Sequence, residues 1–220
     1  MKNANQKPAL AKALLIVIML CAWFALITQM YINIQSKAAP VGELIIRYFS
    51  YFTLLTNLIV AVLSSALTLA PTTSFGKFAS RYGTITAATA YILIVGIVYN
   101  VVLRPLWKPT GLQKPVDELL HTVIPLLFLI FWLFFTIKKK RNYLAFLPWL
   151  LYPLVYVIFV LTRGSYSGFY PYPFIDLTKL PIEQVFFNSV GIAVAVIAIS
   201  LLLISIGNRT ASKRISAQDS

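Results

Sequence analysis

Charge is scarce in this chain. Asp, Glu, Lys and Arg make up 11% of its 220 residues, whereas soluble domains carry about a quarter, so an ordinary solvated surface is excluded. Acidic residues are rarest, six against nineteen Lys and Arg. A single cysteine excludes an internal disulfide and any cysteine-based metal cage. With a single histidine as well, a conventional zinc site lacks ligands, and neither a metal nor a cofactor is expected. No hydrophilic stretch is long enough for a separate soluble domain, and no internal repeat is visible. No apolar segment is broken at mid-length by clustered Gly and Pro, as in many transporters. The G-x-S-x-G elbow that would single out a serine nucleophile is also missing.

What the chain has is hydrophobic length. Apolar residues make up 59% and the mean hydropathy is +0.81. Six stretches reach the roughly 20 apolar residues that a bilayer crossing needs: 10–32, 44–70, 84–106, 119–137, 144–161 and 182–206. The expected architecture is an all-α integral membrane protein, one six-helix bundle over residues 1–220 with short loops. The start, Met1 to Trp23, resembles a signal peptide, but its apolar run continues to about Ile32 and no A-x-A-like site follows. Cys21 follows Met19-Leu20 rather than small residues, which argues against lipoprotein processing. An uncleaved first helix is expected.

The net charge of +13 invites a nucleic-acid reading, which its distribution rejects. With the N-terminus in the cytoplasm, that side receives Lys2, Lys7, Lys12, Lys77, Arg81, Lys138, Lys139, Lys140, Arg141, Arg209, Lys213 and Arg214 against Asp219 alone. The other side receives seven basic residues together with Glu43, Asp117, Glu118, Asp176 and Glu183. This is the positive-inside asymmetry. It predicts both termini in the cytoplasm of a multipass protein of the cell membrane, the inner membrane in a bacterium. The Lys138–Arg141 cluster reads as a topology signal or as a contact for anionic lipid headgroups.

Sorted by depth in that topology, Gln29, Asn57, Asn100, His121, Gln184 and Asn188 all fall in the outer halves of their spans. Polar groups in hydrocarbon must find one another or a wet cavity, so a polar chamber toward the outer leaflet is expected. Small residues at helical spacing (Gly83, Ala87 and Ala90; Gly191, Ala195 and Ala198) predict close helix packing. Pro125 and Pro153 are candidate kinks. The segment from Arg163 to Asp176 interleaves Tyr and Phe with Pro. It reads either as an aromatic belt at the membrane surface or as a lid over the chamber tethered by Arg163 and Asp176.

His121 is the most informative residue, because an ionisable group inside a span is costly and usually faces the bundle interior to do something. Thr53 and Asn57, four apart, share a helix face. At about 1.5 Å per residue, Thr53 lies roughly 9 Å below Arg47 and His121 roughly 6 Å below Asp117, at similar depth. A histidine can take a hydroxyl proton while a third group orients it. Thr53, His121 and Asp117 thus form a candidate nucleophile, base and orienter, with Asn57 or Asn100 as candidate oxyanion donors. The plain alternative is a threonine bonded to its own i−4 carbonyl, and on spacing Ser50 and Thr56 are equal candidates.

The strings Tyr51-Phe52-Thr53-Leu54-Leu55-Thr56-Asn57, Leu119-Leu120-His121-Thr122-Val123-Ile124-Pro125 with Trp132, and Arg163-Gly164 followed by Tyr170-Pro171-Tyr172-Pro173-Phe174-Ile175-Asp176 closely resemble bacterial Pr6Pr-type membrane proteins over almost the whole chain. Those in turn resemble the eukaryotic androgen-induced membrane proteins, multipass threonine hydrolases that cleave fatty acid esters of hydroxy fatty acids. The resemblance implies that Thr53 is the nucleophile and His121 the base. The Thr56-Asn57 pair departs from the eukaryotic motif and bears on substrate choice. The expected partners are membrane lipids and a lipid-like ester, with no nucleic acid. The competing readings are a non-catalytic lipid-binding or small-molecule transport protein and a structural scaffold.

Overall fold

The computed structural model describes residues 3–216, and the side chains of residues 8–213. The charged groups of Lys2, Lys7, Arg214 and Asp219 fall outside these. Among the described residues the chain is helical without a strand. The α-helices are α1 (Asn3–Gln35), α2 (Val41–Phe49), α3 (Phe52–Leu69), α4 (Ser74–Ala79), α5 (Tyr82–Val98), α6 (Gln113–Glu118), α7 (Ile124–Phe135), α8 (Leu151–Ser167) and α9 (Ile182–Ser216). Six helical stretches are long and apolar enough to cross a membrane: Pro8–Gln35, Phe52–Leu69, Tyr82–Leu106, Gln113–Phe135, Tyr143–Ser167 and Ile182–Lys213. Their outward faces carry large apolar side chains such as Leu20, Phe24, Ile27, Phe134 and Leu144, all more than half exposed. In lipid such a surface is solvated.

The third stretch is the centre of the bundle, 67% buried, whereas the fifth is only 11% buried and lies at its edge. Around the centre pack Ile18, Val60, Ile92, Ile124, Phe128 and Trp132, each fully buried. The buried Trp132 indole donates to Thr86 Oγ1 (3.0 Å), so even this polar atom is satisfied.

Several expected boundaries move. The span expected over 44–70 is two helices, because Ser50 ends α2 and Tyr51 is extended (φ −86°, ψ 122°) before α3. Side chains take over the broken ladder: the Ser50 hydroxyl donates to Ile46 O (2.7 Å) and the Tyr156 hydroxyl donates to Ser50 O (2.9 Å). Thr53 therefore sits in the first turn of a helix instead of mid-helix. The fifth stretch continues past 161 to Ser167, where Gly168 closes it in the left-handed conformation (φ 66°). Arg163 is consequently a helical residue, and the aromatic loop begins after it. Lys138 ends α7 by donating its amine to the carbonyl of Trp132, to Leu133 O (3.2 Å) and to Thr136 O (3.0 Å). Of the small residues of α9, Ala195 packs against the core, whereas Gly191 and Ala198 are exposed and Val185, Val196, Ser200 and Leu203 turn inward.

Candidate functional site

His121 lies in a π-helical turn, Leu119–Val123, between α6 and α7, and Pro125 explains it. Proline lacks the N–H that would bond the carbonyl four residues back, and the Ile124 N–H reaches past Leu120 to Leu119 O. Two carbonyls, Leu120 O and His121 O, are left without a helical donor, which apolar surroundings do not tolerate. Asn57 Nδ2 donates to Leu120 O (3.2 Å) and also to Thr53 O (2.9 Å). Asn100 Nδ2, from a second π-helical turn at Tyr99–Leu103, donates to His121 O (3.2 Å) and to Gly96 O (2.8 Å). Each amide nitrogen has two hydrogens, and all four are committed. Both amides expected as oxyanion donors are thus engaged with backbone carbonyls and hold the histidine-bearing turn.

The imidazole is held on its edge and its face. His121 Nδ1 lies 2.9 Å from the Asp117 backbone carbonyl and 3.4 Å from Asp117 Oδ1. A carbonyl oxygen only accepts, so Nδ1 carries the proton and Nε2 is the basic nitrogen of the neutral ring. Tyr99 stacks on the ring, and its hydroxyl donates to Asp117 Oδ2. Asp117 is 3% exposed. Asp117 thus meets the imidazole edge through its backbone carbonyl and its carboxylate, and Tyr99 contacts both residues. Arg104 Nη2 donates to Glu118 Oε2 (2.7 Å) and Thr122 Oγ1 (3.1 Å), fastening the two π-helical segments to each other.

Thr53 is 6% exposed, and it departs from the plain threonine pattern. Thr68, Thr86, Thr89 and Thr210 each donate to the carbonyl four residues back. The Thr53 hydroxyl is instead 3.3 Å from the Tyr172 hydroxyl, whose oxygen also accepts the Thr53 N–H (3.2 Å). Thr56 pairs with Tyr152 (3.0 Å) and Ser50 with its own helix, so of the three candidates Thr53 alone meets the loop. Burial pushes the Tyr172 phenol up to about 12, against hydrogen bonding with Thr53, and it stays a neutral hydroxyl at ordinary pH.

Two cavities meet at Thr53. The more polar one, of about 530 Å³, is lined by Thr53, Tyr99, Asp117, His121 and Tyr172 and by Gln29 and Gln113, among apolar residues such as Leu54 and Leu120. These two glutamines exchange amide hydrogen bonds (3.2 and 2.7 Å). An apolar cavity of about 300 Å³ lies between α8, α5 and α9, lined by residues such as Ile94, Val98, Leu154, Val157 and Val196. Thr53, Tyr99 and Tyr172 border both. Among the described hydrogen bonds none joins Thr53 directly to the His121 ring; the two share the polar cavity.

The aromatic loop is packed. Phe169 lies under the guanidinium of Arg47 (4.5 Å) and that of Arg163 (5.3 Å). Both cations bond Glu43 Oε1, at 2.8 and 2.6 Å. These hydrogen bonds, first from Arg47 and then from Arg163, hold the Glu43 carboxyl below its usual range. Arg163 is therefore the tether expected of it. Asp176 is corrected: its carboxylate accepts from the Thr178 N–H (3.0 Å), the Thr178 hydroxyl and Lys179 Nζ (3.1 Å), closing its own turn rather than reaching the bundle. Burial raises its pKa, but these bonds outweigh burial and leave it lowered. The second tether is Asn188, whose Nδ2 donates to Phe174 O (2.8 Å). Tyr172 and Tyr99 were not singled out from the sequence; the Y-P-Y-P string and a tyrosine beside Asn100 were the available signals.

Among the described residues no group of three or more His, Cys, Asp or Glu is placed to hold a metal ion. The chain matches no protein-family model, no curated protein and no solved structure. What the structure offers is a buried hydroxyl that borders both an apolar recess and the cavity lined by His121.

Proposed function

We propose that this chain is an intramembrane hydrolase of lipid-like esters, such as fatty acid esters of hydroxy fatty acids. Thr53 attacks the ester carbonyl, and His121 Nε2 takes the hydroxyl proton and passes it to the leaving alcohol. Water then releases the acyl group by the same route. One observation carries this reading: Thr53 lines the cavity that also contains an imidazole whose Nδ1 is tied to Asp117. Such an arrangement leaves Nε2 to act as a general base. The adjoining apolar recess suits an acyl chain. The resemblance to Pr6Pr-type and androgen-induced membrane proteins assigns the same two residues. The charge distribution supports cytoplasmic termini and a cell-membrane location, with the site toward the outer leaflet.

The test combines a fluorophosphonate probe with substitutions. Wild-type protein is expected to be labelled on Thr53, and Thr53→Ala and His121→Ala each to lose hydrolysis, the double variant being hardly worse than either. Thr56→Ala is expected to keep most activity, since its hydroxyl pairs with Tyr152. The second reading, a lipid-binding or small-molecule transport protein without catalysis, is favoured by the absence of a direct Thr53–His121 hydrogen bond. Saturable binding of lipid esters without turnover, weakened by His121→Ala, would establish it.

A further inference from the structure

The proposed hydrolysis requires a donor for the negative charge that develops on the ester oxygen, and the asparagines cannot supply it. Their hydrogens are all committed to backbone carbonyls. Most tyrosine hydroxyls nearby are also spoken for: Tyr48 donates to Leu26 O, Tyr91 to Trp149 O, Tyr156 to Ser50 O and Tyr99 to Asp117. Tyr172 differs. Its oxygen accepts the N–H of Thr53, and among the described residues its single hydrogen is committed to no backbone carbonyl or carboxylate, its other contact being the Thr53 hydroxyl itself. That oxygen lies 3.3 Å from Thr53 Oγ1, and Tyr172 lines both cavities, as Thr53 does, so an ester lodged across them would bring its carbonyl beside this pair.

We propose that Tyr172 is the oxyanion donor of this site, a catalytic residue delivered by the aromatic loop; the inference rests on the hydrolase reading above. As Thr53 Oγ1 bonds to the carbonyl carbon, its proton moves to His121 Nε2. The carbonyl π pair becomes an oxyanion that accepts from the Tyr172 hydroxyl. When the pair returns, the bond to the alkoxy oxygen breaks, and that oxygen takes the proton from His121. Water repeats the sequence on the acyl-Thr53 ester, with Tyr172 again donating to the oxyanion. Accepting a first-turn N–H of α3 polarises the phenol toward donation, so the helix terminus acts through it. Position is set by the surrounding contacts: Tyr172 packs edge-on against Tyr51 (5.8 Å) and stacks on Phe174 (5.2 Å).

The experiment measures hydrolysis of para-nitrophenyl esters of straight-chain fatty acids by full-length protein in detergent, with Tm alongside. Tyr172→Phe is expected to lower kcat by about 10²–10³-fold, the usual effect of losing one oxyanion donor, with KM within about twofold. Tyr170→Phe should match wild type, since the Tyr170 ring packs on Gly164 and is not among the residues lining either cavity. If Thr53→Ala abolishes hydrolysis while Tyr172→Phe keeps wild-type kcat, the role of Tyr172 is overturned and the hydrolase reading stands. If Thr53→Ala retains activity, both fall. Should Tyr172→Phe lower Tm, site-specific 3,5-difluorotyrosine at 172 decides, because it preserves shape and donor. It should retain kcat within about tenfold, and a loss as large as that of Phe would overturn the proposal.

Discussion

Tyr99 and His121 stack with ring centroids 3.8 Å apart and planes 15° from parallel, and the Tyr99 hydroxyl binds the carboxylate that meets the histidine edge. The imidazole is thus fixed on one face and one edge by groups that also fix each other. Such support holds a functional side chain in a single geometry. It also explains why an ionisable ring is tolerated within a span: its side chain is 13% exposed and faces a polar cavity instead of lipid.

Asp117→Asn should slow ester hydrolysis by about 10- to 100-fold without abolishing it. The backbone carbonyl of residue 117 still accepts from His121 Nδ1 in that variant, so the tautomer survives. A loss near 10⁴-fold, as expected where the wrong tautomer is imposed, would mean that the carboxylate alone orients the ring. Steady-state kinetics distinguishes the two.

Asn57→Ala should destabilise the protein by about 1–3 kcal/mol, because the buried Leu120 carbonyl loses its donor. Activity should fall with it as the π-helical turn loosens around His121. Unfolding in mixed micelles and turnover measured on the same preparation test both parts.

The Glu43 clamp gives a pH dependence of definite sign. Its carboxyl is depressed in the folded protein, first by Arg47 and then by Arg163. Its contribution is therefore complete above the ordinary value of 4.5 and lost as pH falls through the lower folded value. Hydrogen-exchange protection factors of residues 168–176, corrected for intrinsic rates, should stay constant down to that ordinary value and fall only below it. Glu43→Gln should lower protection at neutral pH to the level the wild type reaches only in acid, and remove the pH dependence.

Reporter fusions should place both termini and the Lys138–Arg141 loop in the cytoplasm, since twelve of nineteen basic residues then share that side with one acid. A C-terminal reporter active on the outer face would invert the topology and turn the polar cavity toward the cytoplasm.

Hydropathy was enough to read six membrane-length helices, because burial in lipid depends on composition over long windows. Of the six polar residues sorted by depth, Gln29 and His121 line the more polar cavity, Asn57 and Asn100 bond the backbone beside it, and Gln184 and Asn188 meet each other and the Phe174 carbonyl instead. Local backbone chemistry was harder to read. The break at Ser50-Tyr51 carries no Gly or Pro and exists because tyrosines from α8 and the loop satisfy the open ladder. The asparagines looked like free donors until the carbonyls released at Pro125 claimed them. Asp176 looked like a tether because a charge near lipid needs a partner, and its partners proved to be Thr178 and Lys179 in its own turn.

The apolar recess beside α8 is bounded partly by Leu154, itself 54% exposed on the outer surface. On the proposed reading of a lipid-facing hydrolase, such a space would be filled in a bilayer by lipid tails as apolar as its walls. A guest therefore arrives by exchanging with a resident tail, and the exchange yields little transfer free energy. Discrimination among guests has to come from the polar side of Thr53. The relevant concentration is then the mole fraction of the guest among surrounding lipids, and its aqueous molarity hardly matters.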